Sequence, residues 1–249
     1  MIDLHSHVLP GLDDGAENLD EAVAMCRAAA ADGTRILAAT PHVRADYPTT
    51  ADAMEAALSE LQAAVGDIVR LVPGGELDLN ELHRPPEELA RFGLGGNPRY
   101  LLVEMPYVGW PLDLGEKLFR LRASGITPVL AHPERNPDIE AHPELLEPIV
   151  AGGALLQLTA ASVDGRLGGS TRRCARTLLD RRLAHLIASD AHAPSVRAIG
   201  MAGAARAVGD AALARWLTVD VPQAIVDDDV VPTFPELTKR RRRFRRGRG

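Results

Sequence analysis

Residues 1–16 read MIDLHSHVLPGLDDGA. The run Ile2–His5 reads as a strand that delivers His5 and His7 at its end. A spacing of two on an extended chain puts both imidazoles on one face, as chelation requires. The loop that follows, PGLDDG, is punctuated by proline and glycine, and Asp13 and Asp14 are natural turn residues there. Asp14 also falls close enough to the strand end to act as a ligand or a proton donor. Beyond the loop, Asn18 and Glu21 give a capping-box-like helix start. Leu19, Val23, Cys26 and Ala30 give one apolar stripe, and Gly33 ends the helix.

This unit of strand, polar strand end and amphipathic helix recurs. Arg35–Thr40, Ile68–Glu76, Tyr100–Glu104, Thr127–His132, Leu155–Thr159 and His185–Ser189 read as further strands, seven in all with the first. Helices are predicted over 52–65, 85–91, 112–124, 143–151, 170–183 and 197–208, with Gly125 and Gly152 at two of their C-terminal ends. Such alternation predicts an α/β fold with a parallel sheet. No internal repeat or Ser/Gly-rich linker divides the chain, so residues 1–236 read as a single domain and 237–249 as a disordered basic tail.

Composition narrows the classes. The 249 residues are 46% hydrophobic and 25% charged, and no apolar run approaches the length of a membrane span. The N-terminus lacks the basic and apolar regions of a signal peptide, and two cysteines cannot make a disulfide framework, so a cytoplasmic location is expected. The net charge of −6 is unevenly spread. Residues 239–249 hold eight of the 28 lysines and arginines and no acid, leaving 20 against 34 acids, a net −14, over residues 1–238.

The polar residues at the predicted strand ends carry the chemistry. His5, His7, His42, Glu76, Glu104, His132, Asp190 and His192 each lie at or just past such an end. In a closed parallel barrel all strand C-termini open on one face, so these side chains would converge from distant parts of the chain. A single His-x-His is a weak signal; joined by Asp190-Ala191-His192 and the other four residues it reads as a metal centre. Imidazole and carboxylate without thiolate suit manganese, iron, cobalt or zinc. Eight ligands exceed the needs of one ion, so two or three metals about 3.5–4 Å apart are expected, with Glu76 and Glu104 as bridges. Such a centre activates water and neutralises a transferring phosphoryl group, which points to a phosphate ester as substrate. Arg135 in AHPER and Arg197, five residues past His192, offer the planar fork that holds phosphate, although each also reads as a solvated surface arginine. His83, His142 and His185 read as spectators. Cys26 and Cys174 read as helix packing: a Cys-x5-Arg loop would need arginine at 32 or 180, and both positions are aspartate.

MIDLHSHVLPGLDDGA, the ATPH ending in His42, GGE at Glu76, LLVEMP around Glu104, LAHPERN around His132 and IASDAH around Asp190 together resemble the PHP-domain (polymerase and histidinol phosphatase) superfamily. Their order and spacing are most similar to the bacterial manganese-dependent tyrosine-protein phosphatases of capsular and exopolysaccharide operons. The resemblance spans about residues 1–200. It implies a distorted (β/α)7 barrel of TIM-barrel-like, metallo-dependent phosphatase type, with up to three Mn2+ ions. Carried over residue by residue, it implies that His5, His7, His42, Glu76, Glu104, His132, Asp190 and His192 hold the metals, with Asp14 close by. Arg135 and Arg197 would match the phosphate-binding arginines. The segment YVGWPLDLG after Glu104 and the arginine-rich tail have no counterpart assigned from the family.

The expected activity is phosphotyrosine hydrolysis by a metal-bridging hydroxide, on an autophosphorylated bacterial tyrosine kinase that governs polysaccharide export. Two alternatives stand beside it: a phosphoesterase for a small metabolite such as histidinol phosphate or a nucleotide, and a non-catalytic metal-binding or kinase-docking module. The acidic body argues against nucleic acid as a partner. The tail, Lys239–Arg248, reads either as a solvated end or as a peripheral contact with anionic lipid headgroups.

Overall fold

The computed structural model describes residues 1–192 and 198–236. Arg197 and the basic stretch Lys239–Arg248 lie outside the described residues. Among the described residues ten strands form two sheets: β1 (Ile2–Asp3), β2 (Ile36–Ala39), β3 (His42–Arg44), β4 (Tyr47–Pro48), β5 (Arg70–Pro73), β6 (Glu76–Asp78), β7 (Tyr100–Glu104), β8 (Thr127–Ala131), β9 (Leu155–Thr159) and β10 (Leu186–Ala188). The smaller sheet has the order β1-β2-β5 and is parallel. The larger has the order β10-β9-β8-β7-β6-β3-β4 and is parallel except for the β3–β4 hairpin. The α/β class and the parallel pairing agree with the sequence reading.

The closed seven-stranded barrel does not. Among the described residues the strands form two open sheets, joined at the β10 edge by one parallel bridge between Ser6 and Ala191. The cause lies in two breaks at which the chain leaves the smaller sheet for the larger one. The strand predicted over Arg35–Thr40 ends at Ala39 as β2, and after Thr40-Pro41 the chain enters the larger sheet as β3. Ile68–Glu76 breaks at Gly74-Gly75 between β5 and β6. Pro41 has no N–H to give a ladder, and a Cβ at Gly75 would stand 2.7 Å from the buried Phe92 ring. His42 and Glu76 therefore open their strands rather than close them.

The breaks set the register of the site. His42 pairs with Glu76, and Glu76 with Leu102. Glu104 lies two residues past Leu102, so its side chain leaves the same face as that of Glu76.

The core fills the space between strands and helices. Every residue of β2 and β9 is buried, as are Leu101–Glu104 of β7 and Pro128–Ala131 of β8. The first helix runs Leu19–Ala31, and Asn18 caps it by accepting from the Glu21 N–H at 3.0 Å. Its most buried positions are Ala22, Met25, Cys26 and Ala29, with Leu19 and Val23 at the margin, so the stripe is rotated slightly from the predicted one. The helices expected over 52–65, 85–91, 112–124, 170–183 and 197–208 appear as Ala51–Val65, Pro86–Arg91, Leu114–Ala123, Gly169–Asp180 and Met201–Val208. Residues 143–151 divide into a 3-10 turn, Pro143–Leu146, and a helix, Glu147–Ala151. Gly125 adopts the positive φ of a helix terminator, whereas after Ala151 that role falls to Gly153 rather than Gly152. No helix among the described residues is long and apolar enough to cross a membrane.

His185 behaves as a packing residue at the entry to β10. Its N–H donates to the Leu156 carbonyl at 2.9 Å, and its Nδ1 accepts from the Leu156 N–H at 3.2 Å. Burial lowers its pKa from 6.5 to about 4. The unfolded chain thus binds a proton that the fold refuses between those values. Stability is complete above pH 6.5 and falls as pH drops towards 4. Between pH 7.5 and 4.5, His185 contributes a loss of about 2 kcal/mol. Urea titrations at the two pH values are expected to show a shallower loss in His185→Asn, which keeps an acceptor and cannot take the proton. Equal slopes in both chains would contradict the assignment.

Candidate metal centre

Eight side chains singled out in the sequence meet in one place, with Asp14. Their donor atoms form four overlapping groups: His5, His7 and Asp190; His5, Glu76 and His132; His42, Glu76 and Glu104; and His7, Asp14, His42 and His192. Within each group the donor atoms lie within 4.8 Å of one another. Glu76 belongs to two groups, as do His5, His7 and His42, whereas Glu104 belongs to one. All are buried except Asp14, which is 40% exposed on its side chain.

Glu76 is the hub. Its Oε1 lies 2.8 Å from His132 Nε2. Its Oε2 lies 3.2 Å from His5 Nε2, 3.3 Å from His7 Nε2 and 3.1 Å from His42 Nδ1, yet makes no hydrogen bond. Both ring nitrogens of His42 are likewise buried without one. Buried polar atoms without partners cost about 1–3 kcal/mol each, and so large a share is rarely left unsatisfied in one place. Lone pairs converging on each other at these distances are the arrangement that a cation joins. The donor set of imidazole and carboxylate suits a divalent ion.

Electrostatics agree with the geometry. Burial works to raise the Glu76 pKa, but His5, His132 and His7 hold it well below the carboxylate range. Glu104 is pushed up to about 7 by burial and by Glu76, against the pull of Arg44. Burial lowers His42 to about 4, which keeps its ring neutral and one nitrogen lone pair available. Burial opposes the charged forms of His5 and His7, yet the carboxylates around them, Asp13 above all for His7, raise both. Asp14 is held far below its ordinary value, chiefly by its hydrogen bond with His192, so it is a carboxylate and not an acid at neutral pH.

The backbone brings the ligands in at some cost. His132 and Asp190 follow β8 and β10 with φ of 38° and 52°, left-handed conformations that a non-glycine residue rarely adopts. Each is pinned by a main-chain bond: His132 N–H to the Gln157 carbonyl at 2.8 Å, and Asp190 N–H to the His5 carbonyl at 2.8 Å.

Several supporting residues escaped the sequence reading. Asp13, the neighbour of Asp14, accepts from His7 Nδ1 at 2.6 Å and from the His42 and Gly15 N–H groups at 2.9 and 3.0 Å. That bond leaves His7 Nε2 facing the cluster, the usual carboxylate–histidine device of a metal site. Gly15 lets the loop close over His7, since a Cβ there would stand 2.0 Å from the His7 carbonyl oxygen. Gln157 fixes His5 in the same way through Oε1, 2.9 Å from Nδ1; its signal was a lone polar residue in the apolar run LLQLT. Arg44, two residues past His42, reaches Glu104 at 3.2 Å and stands over the Tyr47 ring. Tyr107 faces Glu104, and burial and that carboxylate raise its phenol pKa.

Arg135 lies beside the cluster, its guanidinium 2.5 Å from Asp190 Oδ2 and 5.6 Å from the centre of the Tyr107 ring. His83 and His142 are on the surface, away from the donor groups. Cys26 and Cys174 are buried and free, and burial pushes both thiols up to about 12.

Fold and donor set together define an α/β protein built around a buried cluster of histidines and carboxylates whose donor atoms could hold metal. The chain belongs to the CpsB/CapC family of capsular polysaccharide synthesis, whose model matches residues 1–226. It is 34% identical over 197 residues to tyrosine-protein phosphatase YwqE of Bacillus subtilis, covering 77% of each chain. It is 28% identical over 246 residues to tyrosine-protein phosphatase CpsB of Streptococcus pneumoniae, covering 93% of this chain and 100% of that one. Among solved structures, the metal-dependent tyrosine phosphatases described for YwqE and CpsB superpose with a TM-score of 0.85 at 28% identity, over 96% of this chain and 100% of that one.

Removing the Asp13 carboxylate while keeping its size tests its orienting role. Asp13→Asn is expected to weaken divalent-metal affinity about 10–100-fold by calorimetry, with the far-ultraviolet circular dichroism unchanged. Unaltered affinity would contradict it.

Proposed function

We propose that the chain is a metal-dependent phosphatase that hydrolyses phosphotyrosine in a protein substrate. The observation that carries this reading is the Glu76-centred donor cluster with Arg135 at its edge, and the family membership supports it. The ligands are His5, His7, His42, Glu76, Glu104, His132, Asp190 and His192. Asp14, ionised and within 3.5 Å of both His42 and His192, joins them as a ligand rather than as a proton donor. The overlap of four groups suits two or three ions, with Glu76 as the shared carboxylate. Manganese is the assigned metal; iron, cobalt and zinc fit the same donors. Divalent ions held there supply Lewis acidity towards phosphoryl oxygens and lower the pKa of water.

The residues of the chain do the rest. Arg135 binds and orients phosphate through its planar fork. Burial disfavours its charge, but the Asp190 carboxylate more than compensates, so it stays cationic. Asp190 and the incoming phosphate therefore share one guanidinium. Arg197 is assigned the same task from the sequence alone. A tyrosine leaving group has a pKa of about 10, so departure needs little acid help, which accords with an ionised Asp14. Asp13 and Gln157 keep the His7 and His5 rings turned to the cluster throughout.

The substrate is assigned as an autophosphorylated tyrosine kinase of polysaccharide export; the relatives' names support a phosphotyrosine protein and the family description a role in capsular polysaccharide synthesis, and the kinase itself is carried over from the resemblance. The enzyme is assigned to the cytoplasm as one domain over residues 1–236. Its eight basic residues between Lys239 and Arg248 are a candidate contact with anionic lipid.

His5→Ala and Asp190→Ala are each expected to reduce turnover of a phosphotyrosine peptide in excess manganese by about 10³-fold or more. Circular dichroism should show the fold intact. Chelation should do the same to the unsubstituted chain. Retained activity in both variants, or faster hydrolysis of histidinol phosphate than of the peptide, would overturn the assignment.

A further inference from the structure

We propose that Tyr107 makes this site prefer aromatic phosphate esters and that Asn136 is the residue positioning it. The inference deepens the phosphatase reading above and rests on it.

Residues 105–112, MPYVGWPL, leave β7 directly after Glu104 and carry no charged side chain. A loop of that composition ordinarily turns inward. Here Tyr107, Val108 and Leu112 are 47%, 75% and 98% exposed. Exposed apolar side chains gathered on one short loop mark a contact surface.

The loop has no helix or strand of its own between Pro106 and Gly109, yet it is held firmly. Asn136 Nδ2 donates to the Pro106 carbonyl at 2.8 Å and to the Gly109 carbonyl at 3.1 Å. Its Oδ1 accepts from the Asp138 N–H at 2.8 Å and so caps the helix Pro137–Ala141. Asn136 is itself buried and follows Arg135 directly. One turn of chain therefore carries the phosphate-side cation and fixes the loop that faces it.

The outcome is a half-exposed ring beneath the Arg135 guanidinium, 5.6 Å from its centre, with the Glu104 carboxylate acting on its phenol. An ester whose phosphate meets Arg135 brings its alcohol group to this wall. An aryl group can pair with the Tyr107 ring, whereas a short alkyl group has little to pack against. Phosphate affinity and group preference thus reside in different residues. Because Asn136 fixes the loop beforehand, little ordering remains to be done when the substrate arrives.

Phosphonates, which are not hydrolysed, test the preference by calorimetry on the manganese-loaded full chain. Phenylphosphonate is expected to bind about tenfold more tightly than methylphosphonate. Tyr107→Phe should keep the preference, and Tyr107→Ser should reduce it to about twofold or less. Asn136→Asp keeps the helix cap and removes the amide donor; it should lower the preference without changing methylphosphonate affinity. Equal affinities in the unsubstituted chain, no binding of either compound, or a preference that survives Tyr107→Ser overturns the role of Tyr107. An unchanged preference in Asn136→Asp, or a parallel loss of both affinities, overturns the role of Asn136. Failure to hydrolyse a phosphotyrosine peptide would instead strike at the phosphatase reading and leave this comparison standing.

Discussion

The Glu76 carboxylate is buried with one oxygen set among three imidazole nitrogens at 3.1–3.3 Å, and it makes no hydrogen bond with any of them. Much of the architecture serves to put that oxygen there. The break at Gly74-Gly75 starts β6 on Glu76, the break at Thr40-Pro41 starts β3 on His42, and the ladder pairs the two residues. His5 and His7 approach from the end of the first strand, held by Gln157 and Asp13. His132 and Asp190 accept left-handed backbone conformations to arrive at the same point. A fold that stores unpaired lone pairs and backbone strain in one place is paying stability for a preorganised site.

Charge follows the same plan. The body of the chain is strongly acidic, yet four of its acids, Glu76, Glu104, Asp190 and Asp14, face the donor groups. Cations held there offset those charges locally, so a phosphate would meet a site far less negative than the formal count suggests. Arg44 and Arg135 extend this outward, each bound to one of the cluster's carboxylates and each standing over a tyrosine ring.

Much of this was legible in the sequence because the ends of the apolar runs coincide with the candidate ligands. Apolar runs ending on or followed closely by histidine or carboxylate located most of the strands and the ligands in one reading. The limits were tertiary. Nothing local distinguishes Asp13 from Asp14; which of them faces His7 depends on how the loop closes at Gly15. Continuous apolar runs concealed the breaks that divide Arg35–Thr40 and Ile68–Glu76 from the strands that follow them, and with the breaks went the difference between a closed barrel and two open sheets. Asn136 looked like the tail of a motif until the backbone of a loop 27 and 30 residues earlier came within reach of its amide.

The central claim is that Glu76 is shared between metal ions. Anomalous diffraction at the manganese absorption edge, from crystals of the manganese-loaded chain, tests it most directly. The account predicts at least two peaks about 3.5–4 Å apart, both within coordinating distance of the Glu76 carboxylate. A single peak, or peaks that leave Glu76 without a metal contact, would contradict it.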